Sequence, residues 1–162
     1  RKTSYENIIS GLKYKKISDI EIEKRLNKYM HYFNAEELIN KKSHWLSGGE
    51  RAKIALLRTA VIETEVTMFD EPTAAMDIES SMKAEELIKD LAINNRTVIV
   101  VTHDVFQAKR IADYVIFMDK GKILEMGDKD SVLGNPKNKL LKQILNIWVM
   151  REIFRVNALI NF

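Results

Sequence analysis

Asp70 and Glu71 are adjacent carboxylates at the end of the apolar run Val66-Thr67-Met68-Phe69. Two such charges side by side repel unless a cation offsets them. The pattern suits a divalent ion and a water molecule. Such a pair can hold Mg²⁺ through water with the first acid and polarise an attacking water, as a general base, with the second. The plain alternative is a surface acid pair in a strand-to-helix turn. His103 follows a second apolar run, Val98-Ile99-Val100-Val101, at an equivalent strand-end position. There an imidazole can donate a hydrogen bond to a phosphate oxygen and orient the water. His31 and His44 lack that placement and read as structural. Ser47-Gly48-Gly49 precede a helical segment. Glycines let backbone N–H groups approach a phosphate, the helix N-terminus adds positive potential, and the serine hydroxyl adds a donor. Ser47-x-x-Glu50 is equally a capping box. The two roles are compatible, because the cap holds the helix that presents the donors. Ala74-Ala75-Met76-Asp77 reads as a helix lead-in with Asp77 near an N-cap.

The elements that must position these residues follow from periodicity. Residues 1–44 read as helical, with Tyr5, Ile8, Ile9 and Leu12 on one stripe and Ile22, Leu26, Tyr29, Met30 and Phe33 on another. Asp19, or Ser18 before it, is the expected N-cap of the second helix. From residue 45 the pattern changes to alternation: helix Glu50–Ile62, strand Val66–Phe69, helix Glu79–Ala92, strand Thr97–Val101, helix Val105–Ala112 and strand Tyr114–Met118. Asp119-Lys120-Gly121 then turns the chain into a short strand, Lys122–Glu125. The run Val98–Val101 is apolar without alternation, as expected of a parallel strand covered on both faces. Beyond Pro136 the residues Leu141, Leu145, Trp148, Val149, Ile153, Val156 and Ile160 approximate a final helical stripe. The expected class is α/β, a parallel sheet flanked by helices. Ligands of such sheets collect at the C-terminal strand ends, where Asp70, Glu71 and His103 fall.

The chain has 162 residues, enough to bury a sizeable core, and 46% of them are hydrophobic. No apolar run is long enough to cross a bilayer. Arg1-Lys2-Thr3-Ser4-Tyr5 has no apolar core and is not a signal peptide. Cysteine is absent, which excludes disulfides and thiolate metal sites. The net charge is +3, and the lysines are spread along the chain, so no nucleic-acid partner is expected.

Taken in order, these residues resemble the nucleotide-binding subunit of the ATP-binding cassette (ABC) family. Leu46–Glu50 looks like the signature motif, Val66–Asp70 like the Walker B strand, Glu71 like the catalytic glutamate, Ala74–Asp77 like the D-loop and His103 like the switch histidine. Residues 1–44 resemble part of the family's helical subdomain. The resemblance implies a P-loop NTPase-like fold. Its cofactors would be ATP and Mg²⁺, with Asp70 holding the metal through water and Glu71 and His103 catalytic. Leu46, Ser47, Gly48, Gly49, Glu50 and Asp77 would contact nucleotide across a head-to-tail dimer with a second ATPase subunit. Transmembrane permease subunits would be the other partners, at the cytoplasmic face of the membrane. Glu50 stands where many members have Gln, and Arg51 keeps a cation where the pattern usually has Gln-Arg.

A G-x-x-x-x-G-K-[ST] phosphate loop occurs nowhere in the 162 residues. The expectation is a C-terminal portion of an ATPase that neither binds ATP tightly nor turns over alone and is poorly soluble or oligomeric. Its divisions would be 1–62, part of the helical subdomain; 63–135, half of the ATPase core; and 136–162, a helical tail. Gln107–Asp113, Gly121–Glu125 and Gly134–Pro136 resemble importers of tungstate, phosphate or polar amino acids, and an oxyanion such as tungstate is the expected solute. An ABC-type ATPase of DNA repair is the alternative, but sustained heptads for its coiled coils are absent. A non-hydrolysing remnant is a third reading.

Overall fold

The computed structural model describes residues 2–93 and 96–147. The chain divides into two compact units, one up to Val101 and one from Thr102.

In the first unit, α1 (Ser4–Tyr14) starts at Thr3, whose hydroxyl accepts from the Glu6 N–H while the Glu6 carboxylate accepts from the Thr3 N–H. This pair satisfies two otherwise orphaned donors. The expected stripe is inward, with Ile8 and Leu12 fully buried. Helix α2 (Asp19–Met30) starts at Ser18, whose hydroxyl accepts from the Glu21 N–H. It buries Ile22, Leu26, Tyr29 and Met30. The chain then tightens into 3₁₀ turns at His31–Phe33, Ala35–Glu37 and Ser43–Trp45. The second is reached through Asn34 in the left-handed region, φ 48°. A short polar side chain tolerates that region better than most.

Helix α3 (Gly48–Ala60) begins earlier than the predicted Glu50, because Ser47 is its N-cap and the glycines occupy the first turn. Helix α1 packs along α3. Gly11 makes the approach close: a Cβ there would stand 2.9 Å from Ile62 Cδ1. Strand β1 (Val66–Asp70) follows, then α4 (Ile78–Leu91) and β2 (Thr97–Val101). The strands pair in parallel with flush ends, Val66 beside Thr97 and Asp70 beside Val101. Ala84, Leu87, Ile88 and Leu91 of α4 are buried, as the stripe predicts.

One expectation needs correction here. The unbroken apolar run of β2 does not mean cover on both faces. Thr97, Ile99 and Val101 are exposed, and so are their partners Val66, Met68 and Asp70 on the same face of β1. Met68 is 66% and Val101 54% exposed. A run of β-branched residues reports strand propensity, not which faces are covered.

Glu63, just past α3, has φ 53° and gathers the local cations. Its carboxylate accepts from the Tyr29 hydroxyl at 2.7 Å and Lys28 Nζ at 2.8 Å, with Arg25 and Arg96 each at 3.6 Å. Arg25 also donates to the carbonyls of Val61 and Ile62 at the end of α3. These contacts tie α2 to the connection that leads into β1.

In the second unit, α5 (Val105–Ile111) starts at Asp104, which accepts from the Phe106 and Gln107 N–H groups. Strands β3 (Tyr114–Asp119) and β4 (Lys122–Asp128) form an antiparallel hairpin. Its loop residues Lys120 and Gly121 both have positive φ, 48° and 74°. That geometry matches the twist of a two-residue hairpin. Strand β4 runs past the predicted Glu125 because pairing with β3 carries it to Asp128. Residues 139–147 are helical and pack Leu141 and Leu145 with Val132 and Leu133. The remaining predicted stripe, from Trp148 to Ile160, lies outside the described residues.

Candidate functional site

The N-terminus of α3 is built by reciprocal bonds. Ser47 Oγ accepts from the Glu50 N–H at 3.1 Å, and Glu50 Oε2 accepts from the Ser47 N–H at 2.8 Å. Arg51 reaches back to donate to the Leu46 carbonyl at 2.7 Å, and Leu46 is buried beneath the turn. Ser47 and Gly48 are exposed. A Cβ on Gly48 would meet nothing within 4 Å, whereas one on Gly49 would stand 3.1 Å from the Ala75 carbonyl oxygen. The fold therefore requires the small residue at 49 and leaves 48 open to an outside group.

Lys41 Nζ lies 2.8 Å from Glu50 Oε1. Its ammonium, followed by the Ser47 N–H, holds the Glu50 carboxyl at about 2, well below its ordinary 4.5. Sequence reading missed Lys41. It lies outside any helical or strand spacing from Glu50, and only the turns at Ala35–Glu37 and Ser43–Trp45 fold the loop back.

Asp70 is the last residue of β1 and is exposed. Glu71 follows at φ 46°, and its N–H donates to the Val101 carbonyl at 2.9 Å. Pro72 favours extended backbone at the residue before it. Glu71 departs from that and lies in the left-handed region, an uncommon conformation for a side chain of this size. Beside these acids is an open groove of about 270 Å³, walled by Ala52, Ala55 and Thr59 of α3 on one side and by Met68 to Pro72 on the other. Its volume lies just under the lower end of the usual range for small-molecule clefts, roughly 300 Å³.

Asp77 caps α4. Its carboxylate accepts from the Ser80 N–H at 2.8 Å and the Ser80 hydroxyl at 2.9 Å, which lower its carboxyl below the usual range. The lead-in reading of this residue is therefore the one its own contacts bear out. The structure brings the signature turn and the Ala74–Asp77 loop together through Gly49 and Ala75, and brings α3 and the acids of β1 to one groove. His103 is exposed and belongs to the second unit, in the turn between β2 and α5 that Asp104 closes by donating its N–H to Thr102 Oγ1.

A single exposed carboxylate with an acidic neighbour suits Mg²⁺, which keeps several waters and binds through one or two carboxylates plus substrate phosphates. Among the described residues no group of three or more His, Cys, Asp or Glu is placed to hold an ion.

The α3 turn, the paired acids and the parallel strands are the elements on which the chain resembles ATP-binding cassette proteins. The model of the family described as "ABC transporter" matches residues 1–74. Among curated relatives, the chain is similar to the "Phosphate import ATP-binding protein PstB" of Thermotoga maritima, with 36% identity over 146 residues, 87% of the chain and 58% of the relative. The protein of the same name from Alcaligenes faecalis is 34% identical over 89% of the chain and 51% of the relative. The chain thus spans about half the length of the curated relatives it matches. A solved structure titled "Structure of ATP binding subunit of ABC transporter" superposes with a TM-score of 0.76 at 20% identity, over 89% of this chain and 62% of that one, and shows the fold. A second, the dimeric post-hydrolysis state of the ATP-binding cassette MJ0796 bound to ADP and Pi, has a TM-score of 0.70 at 28% identity, over 79% and 57%. These findings identify the chain as ABC transporter ATP-binding domain sequence, with the α/β, P-loop NTPase-like fold that the motifs predict.

Proposed function

We propose that this chain is part of an ATP-hydrolysing subunit that powers solute import, with ATP and Mg²⁺ as cofactors. The observation that carries the reading is the exposed N-terminus of α3. Gly48 stands there with no atom within 4 Å of a Cβ position, beside the exposed Ser47. A fold with no need of glycine at that point keeps one where a phosphate would approach N–H donors.

In this reading Ser47, Gly48 and Gly49 contact the terminal phosphate of ATP held by the phosphate loop of a second ATPase subunit. Leu46 and Glu50 brace that turn, and Asp77 lies on the loop nearest the dimer seam. Asp70 holds Mg²⁺ through water, Glu71 polarises the attacking water, and His103 donates to the γ-phosphate. Bound Mg²⁺ would supply charge neutralisation on the phosphates. Support for a head-to-tail pair comes from the dimeric structural relative. Support for permease partners and a peripheral place at the cytoplasmic face comes from the importer names of the curated relatives. No helix among the described residues is long and apolar enough to cross a membrane. The solute is an oxyanion, and the relatives' names favour phosphate over tungstate.

The test is magnesium-dependent ATP hydrolysis by the full gene product and by Glu71→Gln. Loss of a general base lowers turnover by about 10²-fold or more. Unchanged turnover in Glu71→Gln would remove the role given to that carboxylate.

A further inference from the structure

An ion pair, Lys41–Glu50, stands beside the α3 N-terminus. Glu50 places a carboxylate in the first turn of α3. A carboxylate there suits the helix dipole. It also lies beside the Ser47–Gly49 donors, through its bond to the Ser47 N–H, and repels any anion that docks there. One Glu50 oxygen is taken by the Ser47 N–H at 2.8 Å, and the other by Lys41 Nζ at 2.8 Å.

Lys41 is held in place by its backbone. Its carbonyl accepts from the Ser4 N–H at 2.9 Å and the Ser4 hydroxyl at 3.1 Å, and Ser4 is fully buried. Next to it, Lys42 bridges Thr3 in antiparallel fashion. The start of α1 thus anchors the residue whose ammonium meets Glu50, so the cation is delivered from fixed backbone and not from a loose loop.

We infer that Lys41 is a positioning residue for the phosphate contact: it cancels the Glu50 charge, so that an anionic phosphate reaches the α3 N–H groups and the Ser47 hydroxyl without meeting a carboxylate. This rests on the reading of the α3 N-terminus given above.

The experiment measures the ATP concentration for half-maximal hydrolysis by the full gene product. The variants are Lys41→Gln, Lys41→Arg and the double variant Lys41→Gln with Glu50→Gln, each at low and high salt. Lys41→Gln is expected to raise that concentration about tenfold at low salt, and less at high salt where exposed charges are screened. Lys41→Arg and the double variant recover at least threefold of that loss, because each restores a neutral pair. A purely structural role for Lys41 would leave the double variant as impaired as Lys41→Gln, and that result overturns the inference, as does a silent Lys41→Gln. Gly48→Ala separates the two levels of the argument. If it abolishes turnover while Lys41→Gln is silent, only the inference fails. If it leaves ATP use untouched, or if the unsubstituted protein shows no response to ATP, the phosphate reading of α3 fails and the inference with it.

Discussion

Gly49 lies against the carbonyl of Ala75, so close that a Cβ on the glycine would stand 3.1 Å from that oxygen. The start of α3 and the loop that leads to α4 therefore touch through backbone. A backbone carbonyl yields less readily than the end of a long side chain, so this contact fixes the spacing of two segments that flank the proposed phosphate site.

The neighbouring glycines should consequently behave differently. Gly48→Ala meets open space and gains helix propensity, so it is neutral or stabilising by up to about 1 kcal/mol. Gly49→Val must push the Ala75 carbonyl aside and should cost about 1–3 kcal/mol. Urea unfolding of both variants checks this. Equal losses would mean that the two positions are packed alike.

Glu63 offers a second contrast. Its side chain is 15% exposed and serves Tyr29, Lys28, Arg25 and Arg96 together. Glu63→Ala should destabilise by about 1–3 kcal/mol, because it leaves a buried hydroxyl and a largely buried guanidinium short of a partner. Glu63→Gly removes the same carboxylate but suits φ 53°, so it should cost about 1 kcal/mol less than alanine. The ordering of the two in chemical denaturation is the measurement, and alanine at or above glycine in stability would contradict it.

The third prediction concerns acid. The Glu50 carboxyl falls from 4.5 to about 2 in the folded chain, chiefly through Lys41 and then the Ser47 N–H. Between those values the unfolded chain takes up the proton and the folded chain does not. The stability from this group is complete above about pH 4.5 and is lost as pH falls toward 2. Glu50→Gln should flatten the fall of melting temperature with acidification across that window. Parallel curves for the two proteins would show that the pair contributes nothing in solution.

What was legible beforehand was mostly local. The cap at Ser47 was readable, and at the second helix Ser18 rather than Asp19 of the two candidates is the cap, because a cap is a contact between a residue and the N–H three positions on. The stripe through Ala84, Leu87, Ile88 and Leu91 was readable because helical period alone sets it. The turn at Lys120-Gly121 was readable from glycine. Contacts that join distant segments left no such trace. The Glu63 cluster draws on α2 and on Arg96 just before β2, and Lys41 reaches Glu50 only because Ser4 pins its carbonyl. The placement of Asp70 and Glu71 at the end of β1, and of His103 just after β2, was readable from the apolar runs, but the left-handed turn at Glu71 was not, since propensity disfavours it there.

The bare face of β1 and β2 bears on the life of the polypeptide before any nucleotide is met. Val66, Met68, Ile99 and Val101 form a flat apolar plot open to solvent. Exposed apolar patches mark interaction sites or aggregation liabilities, and chaperones and proteases triage chains that stay unfolded. Steady-state abundance in the cell is therefore expected to depend on how quickly that plot is covered after synthesis. A polar residue at Met68, which stands 66% exposed on it, would change the yield of protein before it changed anything at the proposed phosphate site.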